Sequence, residues 1–494
     1  MISSPDIQRA SPVSGESDPG RRVGDNGDCD KYELMKILFI AHAFPPLQHS
    51  GTIRSEAFAH YLPEFGVLPV ILCGADAVAT ARGQRMGHLM SADWRDDVRW
   101  PEVRRVDWGR DGHTATSWTV RLIRRMPWGS TYVVRAKRRA VLERVLPIAR
   151  AAILAERPAA IYATFPEVES VLIADQLGQE FRLPVVLDFR DQWSYQAGAP
   201  YRHYVDFILE RALERQILRR AVRIVTTTQA VASLLASELK IAESSITVIP
   251  NGYDDRDFSG VCDFGDLDPG KFVVVYAGEM NGGLRTPSVK EALKRGLGFD
   301  YWPLSTDWSA RSPAWFLQAA RSLLRRRPEL RDLLRLWLVG LSPDRHATEV
   351  AEFGYPECVR VFGRVPAPEA VRICAGANLL LLLQNQYFLR GQDCCVAIPG
   401  KLYTYLRTNR RILACVQRSE MAAIVADTHA GVVTPPKDVC QIEEALEAEI
   451  RRWQTGEAAD APRNRIEHWS RRRLTEELAV VIRSAVEAQR PSFQ

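Results

Sequence analysis

Two short segments of this sequence have residue types that could bind the oxygens of a phosphate. Arg285 follows a pair of glycines, and Gly400 and Lys401 come directly after Pro399. Glycines let a backbone approach phosphate closely, and a guanidinium can bind two oxygens at once. Proline favours the first turn of a helix, whose amino terminus attracts anions. The pattern predicts an anion held by cations and backbone amides without a metal ion; the alternatives are a surface arginine and an ordinary helix start.

A second set of residues could act in acid–base or electrostatic catalysis. Asp188, Arg190 and Asp191 follow a short apolar run. If that run is a strand, alternation puts Asp188 and Arg190 on one face and Asp191 on the other. We take these three as candidate catalytic residues, and the alternative is a buried structural ion pair. Gly51 begins the first predicted helix and is a candidate for close approach to a ligand, or a glycine required only by its turn.

Short apolar runs at regular intervals must position these residues. Continuous runs of this kind are typical of strands that are covered on both faces, as in parallel sheets. In the first half they lie at residues 36–41, 68–72, 160–163, 185–188, 224–227 and 246–249. After a polar stretch, 253–270, they recur at 272–277, 336–339, 359–362, 379–383, 412–415 and 431–433. We therefore predict two α/β sheets in tandem.

The candidate residues come just after these runs, as do Gly278 and Gly363. Open parallel sheets bind ligands beyond the carboxyl ends of their strands. Two such sheets that face one another would form a cleft, and we expect the site to lie in it.

Five stretches of the chain, in order and at suitable spacing, resemble glycosyltransferase family 4. Each is weakly specific alone, but together they cover the chain from about residue 35 to about residue 490. They are Lys36–Gly51, PVVLDFRDQW at 184–193, VIPNGYD at 248–254, YAGEMNGGLRTP at 276–287 and IPGKLYTYLRTNRRILA at 398–414.

The resemblance implies a GT-B architecture with two facing Rossmann-like domains and a retaining transfer of sugar from a nucleotide-sugar donor. It implies an acceptor domain over 35–258, a donor domain over 259–465 and a terminal helix over 466–494 that returns to the first domain. The polar composition of the first residues predicts a disordered tail over 1–34. The acceptor would be a sugar or a lipid-linked molecule. The implied donor-binding residues are Gly51, Gly278, Arg285, Gly363, Gly400, Lys401 and Thr404.

One departure from the family pattern concerns two glutamates that members commonly carry eight residues apart. The corresponding positions here are Val396 and Thr404. A carboxylate can accept protons from two ribose hydroxyls, whereas threonine offers one hydroxyl. Two other functions therefore stay open: a binding partner that keeps the fold without turnover, and a sugar-nucleotide epimerase.

Composition excludes other classes of protein. The 494 residues carry a net charge of only +5, which does not point to nucleic acid, and no apolar run reaches the length of a membrane helix. The nine cysteines form no C-x-x-C pair. We expect reduced thiols, no cofactor, no metal and a cytoplasmic location.

Residues Arg121–Arg150 form a basic stretch, with nine basic side chains and one acidic, Glu143. Aromatic residues lie among them, which is typical of segments that bind anionic membranes. The stretch predicts peripheral attachment at the inner face of the plasma membrane, and the alternative is a solvated helix face.

Overall fold

The structure is a computed structural model of the chain. It describes residues 34–45, 50–74, 103–108, 129–198, 200–259, 267–279, 300–340, 346–457 and 466–489. The predicted disordered tail therefore lies outside the described residues, except for Leu34.

The first sheet consists of parallel strands made from the predicted apolar runs. Its order is β3-β2-β1-β4-β5-β6-β7. The strands are β1 (Met35–Ala41), β2 (Val67–Gly74), β3 (Val103–Val106), β4 (Ala160–Phe165), β5 (Val185–Phe189), β6 (Arg223–Thr226) and β7 (Ile246–Val248). The chain order reverses between β1 and β4, and this switch is where Rossmann-like sheets bind ligands.

Helices connect these strands and cover both faces of the sheet. They are α1 (Ser50–Tyr61), α2 (Gly129–Glu156), α3 (Val168–Phe181), α4 (Tyr204–Leu218) and α5 (Gln229–Leu239). Local sequence fixes some of their ends: Thr228 precedes α5, and its hydroxyl accepts from Val231 N at 3.1 Å.

The second sheet repeats the same topology. Its order is β11-β10-β8-β12-β15-β16, and every pair is parallel. The strands are β8 (Phe272–Ala277), β10 (Leu334–Val339), β11 (Val359–Phe362), β12 (Leu379–Leu383), β15 (Arg411–Cys415) and β16 (Gly431–Thr434). The switch here lies between β8 and β12.

The remaining elements are the later helices of the chain and a small antiparallel sheet. The helices are α6 (Ala314–Arg326), α7 (Ala347–Phe353), α8 (Ala367–Ala375), α9 (Gly400–Thr408), α10 (Glu420–Asp427), α11 (Val439–Gln454) and α12 (Arg471–Gln489). A small antiparallel sheet consists of β9 (Ser305–Asp307), β13 (Gln386–Leu389) and β14 (Gln392–Asp393).

The predicted tandem of parallel sheets is confirmed. Each apolar run named from the sequence coincides with one of the strands to within two residues at either end. The sequence analysis missed β3 and the small antiparallel sheet. Their strands are short, polar or half-exposed, so they have no apolar run to reveal them.

The terminal helix α12 packs on the first sheet. Leu474, Leu478 and Ile482 are buried in one cluster with Phe39 of β1 and Phe58 of α1. Gly252 makes this approach possible, because its φ is +65° and an added Cβ would lie 2.5 Å from the carbonyl oxygen of Trp469. Two segments of chain therefore cross between the domains side by side.

The carboxyl edges of the two sheets face each other. Gln192, which follows β5, donates to the carbonyl of Val396 at 2.8 Å. Gln229 N, which follows β6, donates to Glu420 at 2.9 Å, and Glu420 lies shortly after β15. The residues after the strands of both sheets are thus brought together, as the two-domain prediction requires.

Candidate functional site

The carboxyl edge of the second sheet carries a lysine that contacts a buried tyrosine. Lys401, in the first turn of α9, donates to the hydroxyl of Tyr276 at 2.7 Å, and its Nζ lies 3.9 Å from the ring centroid. Tyr276 is on β8 and fully buried, and its hydroxyl donates to Glu279 O at 2.8 Å. The hydroxyl thereby holds the ammonium group at the switch point.

Arg311 is a second cation at the same place. It comes just before α6, and its charge acts on both the Tyr276 hydroxyl and Lys401. Its Nε is buried and has no hydrogen-bond partner among the described residues. We call Lys401, Arg311 and Tyr276 the cation cluster.

The pKa values show how strongly these charges act on one another. Burial lowers the pKa of Lys401, and the charge of Arg311 lowers it further. Burial would raise the pKa of Tyr276, but Lys401 and Arg311 outweigh that effect and lower it. Among the described residues, the groups that shift the pKa of Lys401 are Tyr276, Arg311 and Cys374, and none of them is a carboxylate. Within this part of the chain the cation cluster therefore has excess positive charge.

Glycines keep the space beside the cation cluster open. Gly278 has φ +120°, and an added Cβ would lie 2.8 Å from the Nζ of Lys401. Gly340 follows β10 with φ +88°, and its Cβ would come within 3.3 Å of the Gly278 backbone. Gly340 N donates to Gly363 O at 3.1 Å. The glycines after β8, β10 and β11 thus lie together beside Lys401.

The amino terminus of α9 adds backbone N–H groups. Pro399 precedes the helix, no side chain caps it, and a Cβ on Gly400 would meet nothing within 4 Å. Such a helix end attracts anions. Thr404 lies one turn further along and is half-buried.

Val396, by contrast, is fully buried in the core cluster of the first sheet. A valine in this apolar setting cannot supply the carboxylate that the family pattern has there.

The carboxyl edge of the first sheet carries an ion pair. Arg54 of α1 donates to both carboxylate oxygens of Asp188 at 2.8 and 3.0 Å, and the Tyr162 hydroxyl donates to the same carboxylate at 2.6 Å. Asp188 is fully buried and Arg54 is 4% exposed. The described geometry of Asp188 is therefore the buried ion pair that the sequence left as an alternative.

Arg190 lies beside this pair and joins three segments. Its Nε donates to Phe165 O at 2.8 Å, and its Nη1 donates to Gly51 O at 2.6 Å. These contacts link the ends of β4 and β5 to the start of α1. Asp191 follows and is exposed.

Sequence reasoning missed Arg311 and Tyr276. Arg285 lies outside the described residues, so its position is not part of this geometry. Arg285-Thr286-Pro287 and Arg311-Ser312-Pro313 have the same pattern of arginine two residues before proline. That pattern indicates Arg311 as a candidate binding residue as well, but it does not show which of the two arginines lies at the site.

The described residues contain no group of three or more His, Cys, Asp or Glu that could hold a metal ion.

Comparison with known sequences locates a domain family in the first half of the chain. Residues 53–252 match the family model described as "Glycosyl transferase 4-like domain". These residues are similar to that domain. They include Arg54, Asp188 and Arg190, the charged side chains at the first edge. No curated protein matches the chain with significant sequence similarity.

Solved structures extend the likeness beyond the glycosyl transferase 4-like domain. The N-terminal domain of a trehalose-6-phosphate phosphatase from Candida albicans aligns with 92% of the chain and 98% of its own length, at 12% identity and a TM-score of 0.57. A glycosyltransferase from Rickettsia africae ESF-5 aligns with 93% of the chain and 98% of its own length, at 11% identity and a TM-score of 0.50. Such similarity shows the fold. The predicted GT-B architecture and glycosyltransferase resemblance are confirmed.

Proposed function

We propose that this chain transfers a sugar from a nucleotide-sugar donor to an acceptor, and that the second domain holds the donor's diphosphate. The observation that carries the proposal is the cation cluster. At the switch point of the second sheet, the charges of Lys401 and Arg311 act on each other and on Tyr276. No carboxylate is among the described groups that shift the pKa of Lys401. A diphosphate would supply the missing negative charge.

The groups around the cation cluster suit the departure of a nucleoside diphosphate. Charge develops on its oxygens as the sugar leaves, and preorganised cations and amides stabilise such charge. Lys401, Arg311 and the first amides of α9 would act on the diphosphate, with Gly278 and Gly363 leaving room for it. Arg285 remains a proposed further ligand, and Gly51 a contact from the opposite edge.

The acceptor would bind to the first domain, over residues 35–258, with the donor domain over 259–465. Arg190 and Asp191 lie at the first edge and would contact the acceptor or the departing phosphate. Asp188 would act through Arg54 as a positioning residue, since both of its oxygens are occupied. We propose retention of anomeric configuration, supported by the family resemblance of residues 53–252.

The acceptor proposed here is lipid-linked, with the enzyme at the inner face of the plasma membrane. Support comes from α2, whose outer surface carries Arg135, Lys137, Arg139 and Arg144. Within the described ranges, no helix is long and apolar enough to cross a membrane.

A second candidate function is binding without turnover. Thr404 and the buried Val396 take the places of the two expected glutamates, so the ribose would lose carboxylate contacts. A chain that binds nucleotide weakly and transfers nothing would keep the fold for another role.

Calorimetric titration with a panel of nucleoside diphosphates, followed by incubation with the matching sugar nucleotides, tests the proposal. We expect one diphosphate to bind, its sugar nucleotide to be hydrolysed slowly, and both effects to weaken in Lys401→Met. Arg325→Met, on the exposed face of α6, is the matched control. Binding without hydrolysis or transfer would favour the second candidate. A changed sugar nucleotide without acceptor would indicate an epimerase, and absence of any binding would overturn the proposal.

A further inference from the structure

The start of helix α2 and the start of helix α4 form one surface. Thr131 N and Oγ1 donate to Asp206 at 3.1 and 2.5 Å. Two turns further along, Arg138 donates to both oxygens of Glu210 at 2.8 and 2.9 Å. The helices therefore lie side by side, run in the same direction and begin at the same end of the molecule.

Large apolar side chains are exposed on this surface. Tyr132 and Val134 project from α2, and Tyr204, Val205 and Ile208 project from α4. The two tyrosines are 59% and 56% exposed. These five residues are the helix-start patch. Several exposed apolar residues on neighbouring helices indicate an interaction surface, whereas single ones do not.

The charge around the helix-start patch is mostly positive. Arg135, Lys137 and Arg202 are exposed there, whereas the exposed Arg139 pairs with Glu143 at 2.9 Å. Asp206 is buried against Thr131. Both helices also direct their amino termini, with partial positive charge, to this end. The net positive charge favours an anionic partner.

We propose that the helix-start patch docks the first domain on an anionic bilayer surface. Tyrosines suit the headgroup region because one end of the ring is apolar and the other polar. Arginine and lysine side chains can keep their apolar stems among lipids and their charges at the phosphates. The inference rests on the proposed function and deepens it by naming the surface through which the acceptor domain would bind the membrane.

Vesicle flotation tests this inference. We expect the full chain to float with phosphatidylcholine vesicles that contain phosphatidylglycerol, to stay behind with pure phosphatidylcholine, and to lose binding at high salt. Each cation near an anionic surface strengthens binding about fivefold. The double variant Arg135→Glu/Lys137→Glu should therefore weaken it at least about 25-fold. Val205→Ser/Ile208→Ser should weaken it about tenfold by removing apolar burial.

Two controls are matched to these variants. Leu154→Ser removes an exposed leucine 22 residues along α2, about 33 Å from Tyr132. Arg325→Glu reverses an exposed charge in the second domain. Both should bind vesicles as the unaltered chain does. Folding of each variant is checked by thermal unfolding, and diphosphate affinity without vesicles should be unchanged in all of them.

Several outcomes would overturn the inference. They are equal binding to neutral vesicles, normal binding by both patch variants, and self-association that the patch variants abolish while vesicles bind nothing. Failure of diphosphate binding in the unaltered chain would instead refute the proposed function and leave the flotation result standing.

Discussion

The two sheets share one topology, but their carboxyl edges differ in how charge is balanced. At the first edge, Arg54 and Asp188 pair with each other and the Tyr162 hydroxyl completes the contact. At the second edge, Lys401 contacts the Tyr276 hydroxyl and the charge of Arg311 acts on both groups. The charges of the first edge therefore balance each other, whereas the described part of the second edge has an excess of cations. The same Rossmann-like topology thus holds a structural ion pair on one side and the proposed anion site on the other.

The largest expected effect comes from breaking the ion pair of Arg54 and Asp188. Arg54→Met leaves Asp188 charged and fully buried, and it should lower the free energy of unfolding by about 3–5 kcal/mol. The double variant Arg54→Met/Asp188→Asn should be more stable than the single variant, because no buried charge remains. Chemical denaturation measures both. A loss below about 1 kcal/mol in the single variant would show that the pair is not structural.

The second prediction concerns a buried carboxylate of the first domain, Glu214, and the pH dependence of stability that it causes. Burial raises the pKa of Glu214 to about 7, although its hydrogen bonds from Ser194 oppose the shift. Because the folded pKa lies above the unfolded one, this stabilisation is complete below about pH 4.5 and is lost as pH rises through 7. The loss is at most about 3 kcal/mol. Glu214→Gln should remove that slope in unfolding free energy measured from pH 5 to 8, and an unchanged slope would rule this group out.

Removing one cation from the second edge should not destabilise the unliganded chain, in contrast to the loss expected at the first edge. Lys401→Met relieves its repulsion with Arg311, so the unliganded chain should be as stable as the original or more stable. Diphosphate affinity should fall about tenfold to a hundredfold, as expected for a lost charged hydrogen bond worth about 1.5–3 kcal/mol. Calorimetric titration and thermal unfolding read the two effects separately. Arg311→Met should have the same two effects. If either variant is less stable than the original chain without ligand, the cation cluster has no excess of charge.

A smaller effect should follow from filling the space beside the cations. Gly278→Ala places a Cβ against the Lys401 ammonium at a backbone angle that alanine rarely adopts. We expect a cost of about 1–3 kcal/mol in stability and weaker diphosphate binding. Gly270→Ala is the control, because its φ is +76° and an added Cβ there meets nothing within 4 Å. Equal effects of the two substitutions would show that contact with Lys401 is not the cause.

The smallest expected effect is on nucleotide affinity, and it concerns Thr404, which stands where the family pattern has a glutamate. Thr404→Glu restores an acceptor on α9 at the position where the family pattern has one, and we expect affinity for a nucleotide with a free ribose to rise a few-fold. The matching 2′,3′-dideoxynucleotide should gain nothing, since it lacks the hydroxyls. An equal gain for both nucleotides would point to a general effect on the helix.

Much of the fold follows from local pattern. Strands such as β8 and β12 are continuous apolar runs, and their burial on both faces requires that composition. Strands β13 and β14 escaped sequence reasoning. Strand β13 pairs with β9, some 80 residues away in the chain, and β14 is an exposed pair of polar residues that pairs with β13.

The candidate site was predictable only in part. Lys401 and Gly278 were named because each directly follows a strand or begins a helix, and the structure brings their atoms together. Arg311 was not named, because its segment resembles that of Arg285 and sequence gives no reason to prefer it. Its role depends on where the turn before α6 lies relative to β8.

The sequence by itself determined the alternation of strands and helices, the two sheets and the residues at their carboxyl ends, because apolar periodicity and turn residues act over short distances. Tertiary structure alone decided which charges are neutralised. Arg54 and Asp188 are 134 residues apart, and Lys401 and Tyr276 are 125 apart. Whether a charge is paired depends on its neighbours within a few ångströms, and only the folded chain sets those neighbours.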